Sequence, residues 1–172
     1  APLDLHALHG IPADHAILVY HGIYLYPPNL EAMEVMAHEI LPRLERLGVA
    51  VTVLAIGAHP PARELHPRLR FTGPVESVAP YLKGADLAVV PLQKGGGTRM
   101  KILDYFAAGL AVVSTAKGAE GIPITSGVEA LIVDDHDAFA QAVAELLADP
   151  ERRVRLGAAA RAFVAPLDWR TI

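Results

Sequence analysis

The sequence predicts an α/β fold, a doubly wound parallel sheet of about six strands, and three observations predict it. Short runs of β-forming apolar residues recur at 16–20, 49–57, 86–92, 111–114 and 130–133. Stretches with helical spacing lie between them. The runs are apolar throughout rather than alternating, which marks strands covered on both faces. At 172 residues, 52% hydrophobic and 20% charged, the chain suits one globular domain with one core.

Taken in order, Ala16-Ile17-Leu18-Val19-Tyr20 is a buried strand that ends at His21-Gly22. Asn29 is expected to cap the next helix, because its side-chain oxygen can accept a bond from a first-turn N–H. Leu30, Met33, Ala37, Ile40, Leu41, Leu44 and Leu47 share one face at helical spacing. Pro42 lacks an N–H and crowds the preceding turn, so it should kink or break that helix, and Gly48 ends it. Residues 49–57 form the second strand and 70–73 a short third. A short helix over 78–83 leads to the fourth strand, 86–92. The helix over 98–108 closes at Gly109, which can take the left-handed conformation of a helix end. Residues 111–114 and 130–133 are the fifth and sixth strands. A helix over 137–147 follows, with Phe139, Leu146 and Leu147 on its core face, and Pro150 suits the first position of the last one. Right-handed crossovers then give a Rossmann-like sheet whose ligands bind beyond the carboxyl ends of the strands. That rule points to the loops after Tyr20, Phe71 and Leu92.

The formal net charge is −4 with no long basic run, which argues against nucleic acid or an anionic membrane surface as partner. There is no cysteine, so disulfides and thiolate metal sites are excluded and a cytoplasmic setting is expected. His6, His9, His15 and His21 form no helical ligand pair, and His59 and His66 sit among prolines, so no metal site is expected. His21 alone stands at a strand end beside the expected site. Ser114 and Ser126 lack the setting of a nucleophile elbow. The start of the chain carries no basic-then-apolar signal pattern. Both ends are read as boundaries within a longer polypeptide, with the last helix packing loosely and Trp169 poorly buried.

The loop after the fourth strand holds the chemistry. Gly95, Gly96 and Gly97 leave backbone N–H groups unobstructed, and Thr98 opens a helix whose amino end favours an anion. Arg99 and Lys101 place positive charge at that same end, against the helix dipole, an arrangement that a bound phosphate would relieve. The alternative is a solvated basic turn. Asp104 lies three residues beyond Lys101 on nearly the same face. It can accept bonds from ligand hydroxyls, or form an ordinary surface ion pair.

The segment Gly95-Gly96-Gly97-Thr98-Arg99-Met100-Lys101-Ile102-Leu103-Asp104, continuing through Ala107-Ala108-Gly109 to Thr115, resembles the motif of retaining GT-B glycosyltransferases of family 4, the group 1 glycosyl transferases. Tyr26-Pro27-Pro28-Asn29, Phe71-Thr72-Gly73-Pro74-Val75, Ala85-Asp86 to Leu92 and Gly118-Ala119-Glu120-Gly121 follow in the family's order. The resemblance covers nearly the whole chain. It implies that residues 1–172 are the C-terminal, donor-binding half of such an enzyme, with 166–172 starting the crossover to an absent N-terminal acceptor domain. It implies transfer of a sugar from a nucleotide-sugar donor with retention, without a metal or other cofactor, and a single half that is inactive alone. Any membrane association would fall to the absent domain. Carried over by position, Gly73, Pro74 and Val75 line a base pocket, Gly22 stands in the loop after the first strand, and Gly97, Thr98, Arg99 and Lys101 surround the diphosphate. Asp104 takes the place of the second Glu of the family's E-x7-E motif, on the ribose. Gly96 stands where the first Glu contacts the donor sugar, and His21-Gly22-Ile23-Tyr24 replaces a loop that usually carries a phosphate-binding Arg. The resemblance implies that Arg99 and Lys101 take over that charge. Two rivals are a non-catalytic nucleotide-binding module of the same fold and a flavodoxin-like signalling domain. The latter would need clustered carboxylates at strand ends, where this chain has Tyr20-His21-Gly22.

Overall fold

In a computed structural model, residues 1–95 and 99–167 are described, the side chain of Arg99 excepted. Strands β1 (Ala16–His21), β2 (Val51–Ile56), β3 (Leu69–Phe71), β4 (Leu87–Val90), β5 (Val112–Ser114) and β6 (Leu131–Ile132) form one sheet in the order β3-β2-β1-β4-β5-β6. Every pairing is parallel, as continuous apolar strands require when helices cover them. Every residue of β2 and of β4 is buried.

The helices are α1 (Leu5–His9), α2 (Pro27–Val35), α3 (Leu41–Arg46), α4 (Ala79–Gly84), α5 (Arg99–Ala107), α6 (His136–Leu147) and α7 (Pro150–Val164). The spacing over 30–47 holds, but it hides an irregularity. Met36–Ile40 is a π-helical turn between α2 and α3. The wider turn brings the chain to Pro42 in the first turn of α3, where its missing N–H costs nothing. Gly48 follows with φ +73°.

Two expectations need correction. Asn29 does not cap α2. The helix begins at Pro27 after an extended Tyr26, and two prolines already suit its first turn without donors to satisfy. Asn29 instead lies inside that turn and is buried. Helix α7 does not pack loosely. Asp149 caps it by accepting from the Arg152 N–H at 3.0 Å, and Leu156, Gly157, Ala160 and Val164 are buried. A Cβ at Gly157 would overlap the backbone oxygen of Gly109, so α7 and the turn after α5 meet backbone to backbone. Phe163 packs edge-on against Phe106 at 5.7 Å between ring centroids. Trp169 lies outside the described residues.

Candidate functional site

The chain runs from β1 outward to β3 on one side, then returns to build β4, β5 and β6 on the other. The crevice between the carboxyl ends of β1 and β4 is therefore the topological switch point, where open α/β sheets bind ligands. Two of the three expected loops, those after Tyr20 and after Leu92, flank it. The third is tied in from the side, because Gly57 at the end of β2 bridges to Gly73.

Buried side chains fix the loop after β1. The Tyr20 hydroxyl donates to Asn29 Oδ1 at 2.5 Å, and Asn29 Nδ2 donates to the Ile23 carbonyl at 2.9 Å. The Tyr24 hydroxyl donates to the Ile56 carbonyl at 3.2 Å, and its ring meets Phe71 edge-on at 4.9 Å. Burial raises the pKa of Tyr20, Tyr24 and Tyr105 above that of a free phenol. All three stay neutral and able to hydrogen-bond.

Helix α5 grips His21 with residues 101, 104 and 105, which share one face. Lys101 Nζ donates to the His21 carbonyl. The His21 N–H donates to the Tyr105 hydroxyl at 2.9 Å. The Tyr105 ring meets the imidazole edge-on at 5.3 Å. Asp104 Oδ2 comes within 3.4 Å of His21 Nε2, inside ion-pair range but short of a hydrogen bond. Lys101 also lies over the Tyr20 ring, 4.7 Å from its centroid, where the ring face attracts a cation. Only 8% of Lys101 is exposed, and burial lowers its pKa to about 8 against the opposing pull of Asp104. Burial also lowers the pKa of His21, and the Lys101 charge adds to this while Asp104 works against it.

The residues singled out in the sequence are placed as follows. The Gly22 N–H is taken by the Ile56 carbonyl at 3.0 Å, and a Cβ there would fall 2.7 Å from Asn29 Nδ2. Its lack of a side chain is thus explained by packing against Asn29. Gly73 has φ +75° with open space where a Cβ would be, and Val75 is partly buried against the core. Gly96, Gly97 and Thr98 lie outside the described residues. Arg99 opens α5. Gly95 has φ +89°, and a Cβ there would press on Pro28 at 2.7 Å from its Cβ, so the glycine loop starts against the first turn of α2.

A groove of about 560 Å³ opens beside Asp104, lined by Ser77, Val78, Leu82, Lys83 and Ala107 among others. This wall is not among the features that the sequence predicts. The small residues Ala107 and Ala108, which line the groove, were the available signal. A second concavity of about 530 Å³, where His66 Nε2 meets Glu45 at 3.0 Å, lies at the amino ends of β2 and β3, away from the switch point. Among the described residues, no three His, Asp or Glu side chains are grouped to hold a metal ion. No described helix is long and apolar enough to cross a membrane.

Known proteins share this fold. Over 165 residues the chain is 28% identical to a D-inositol 3-phosphate glycosyltransferase of Xylanimonas cellulosilytica, a match that covers 95% of this chain and 34% of the relative. The chain thus spans about a third of that relative's length. Sucrose-phosphate synthase from Thermosynechococcus elongatus superposes with a TM-score of 0.73 at 25% identity, over 99% of this chain and 46% of that one. Anabaena HepE in complex with UDP superposes with a TM-score of 0.76 at 16% identity, over 97% of this chain and 48% of that one, and the same protein is matched in complex with UDP-glucose. The family profile of the group 1 glycosyl transferases matches residues 15–149. With that profile spanning the sheet, the switch-point loops and α5, the chain belongs to the group 1 glycosyl transferases.

Proposed function

We propose that this chain is the half of a retaining glycosyltransferase that holds the nucleotide-sugar donor. The observation that carries the reading is the meeting of the β1 end with the cationic amino end of α5 at the switch point. A helix amino end favours an anion, and Gly95, Gly96 and Gly97 leave backbone donors open to one. Arg99 binds the diphosphate directly, together with Gly97 and Thr98. Lys101 adds its charge from behind, on the His21 carbonyl. Asp104 accepts the ribose hydroxyls one turn further along, and the base lies toward Gly73 and Val75. As the glycosidic bond breaks, negative charge grows on the leaving diphosphate, and donors already in place stabilise it without a metal. The UDP and UDP-glucose complexes of Anabaena HepE support this class of ligand. The acceptor and the groups that act on it belong to a separate domain, so this chain binds donor without turning it over.

Calorimetry with UDP, GDP and ADP, their glucose conjugates and the bare nucleosides tests this. Arg99→Ala should weaken diphosphate binding by roughly 1.5–3 kcal/mol and leave nucleoside binding unchanged. Equal losses for both ligands would remove the diphosphate from this loop. Gly96 favours a second reading, a nucleotide-binding module without catalytic duty, because no side chain at 96 can hold a sugar. That reading gains if the sugar conjugates bind no differently from the diphosphates.

A further inference from the structure

The main chain of His21 is held on both sides, its backbone N–H by the Tyr105 hydroxyl and its carbonyl by Lys101, and its imidazole lies edge-on to the Tyr105 ring. The side chain is 16% exposed, and Nε2 is buried with no hydrogen-bond partner among the described residues. A buried, unpaired ring nitrogen costs free energy, so its persistence calls for a partner. Among the described residues the carboxylate it faces is Asp104, which is 31% exposed and lines the groove.

We propose that His21 is the positioning residue for Asp104, fixing one carboxylate oxygen so that the other meets the ribose hydroxyls of a bound nucleotide. The inference rests on the proposed donor site. A carboxylate on a single methylene can rotate between partners, and a hydroxyl pair is recognised best by one whose rotation is stopped. His21 stops it by donating from Nε2 to Oδ2. The 3.4 Å separation shortens to a hydrogen bond when the ligand closes the groove, as contacts in empty sites commonly do. Burial and the nearby Lys101 charge lower the pKa of the ring against the opposing pull of Asp104, which favours the neutral imidazole as the donor. His21 touches no substrate in this scheme and acts only through Asp104.

Binding of UDP, GDP and ADP is measured beside that of their 2′-deoxy counterparts, for the wild type and three variants. The wild type should prefer the ribonucleotide by roughly tenfold or more, the span of a hydrogen bond to a charged group. Asp104→Ala should abolish that preference. His21→Phe keeps a ring against Tyr105 but removes the donor, and the preference should fall towards one. His21→Gln restores an N–H at similar reach, and the preference should return. A preference that survives His21→Phe, or a loss equal for ribo- and deoxyribonucleotides, overturns the proposal while leaving the donor site standing. Should no nucleotide bind the wild type, the donor reading falls and this proposal falls with it. If His21→Phe does not fold, nitrogen-15 spectra of the wild-type histidines with UDP decide the matter. A neutral ring protonated at Nε2 is expected, and protonation at Nδ1 alone overturns the assignment.

Discussion

Helix α5 is closed by the protein at its carboxyl end and carries cationic residues at its amino end. At its carboxyl end Gly109 turns with φ +69°, and Gly157 of α7 sits against the Gly109 carbonyl with no room for a Cβ. At its amino end Arg99 opens the helix, and Lys101 is buried beside His21 with its pKa pulled down to about 8. The first end is backbone fitted to backbone, which is worth stability. The second holds cations against a helix dipole, which costs stability unless an anion arrives. A fold can tolerate the second because the first is tight.

The comparison breaks first at Gly157. Gly157→Ala must push α7 off a backbone oxygen that cannot yield, and urea unfolding should show a loss of roughly 3 kcal/mol, near the top of the usual range for overpacking. A neutral result would mean that α7 is not fitted in this way. The next largest effect lies at the amino end. Lys101 has a folded-state pKa below its unfolded value of 10.5, so the unfolded chain binds more protons between about pH 8 and 10.5. Its contribution to stability is therefore lowest below pH 8 and recovers as the pH rises. The wild type should gain about 2 kcal/mol on Lys101→Met between pH 7 and pH 10. A gap that does not move with pH would show that the carbonyl bond and the Tyr20 ring fully offset burial. The smallest effect is at Asp149, the cap of α7. Asp149→Ala should cost about 1 kcal/mol of stability and leave nucleotide affinity untouched, since it acts only on the closed end. A change in affinity would join the two ends and spoil the contrast.

Strands β1, β2, β4, β5 and β6 were legible because continuous apolar runs admit little else, and the loops after Tyr20 and Leu92 because each follows such a run, whereas β3 is short and only Leu69 in it is buried. Helix α1 was missed: five residues between Asp4 and Gly10, with only Leu5 buried, carry no period to read. The π turn at Met36–Ile40 was invisible because one extra residue per turn leaves the apolar spacing nearly intact, and only Pro42 betrayed it. Helix α7 was misjudged because its closest contact is made by Gly157, a residue without a side chain to show. In the site, Arg99, Lys101 and Asp104 could be read from one helix. The grip of Lys101, Asp104 and Tyr105 on His21 could not, because it depends on how α5 registers against β1, eighty residues away for Lys101.

The buried phenols at the β1 end also give the molecule an optical property of its own. Tyr20, Tyr24 and Tyr105 resist ionisation for as long as water is kept from them. Their phenolate absorbance is therefore expected at a higher pH than that of a free phenol while this corner is closed, and at a lower one once it opens. Three chromophores placed by the fold around one loop report on that loop without any label, and ligand protection of the corner can be followed in a cuvette.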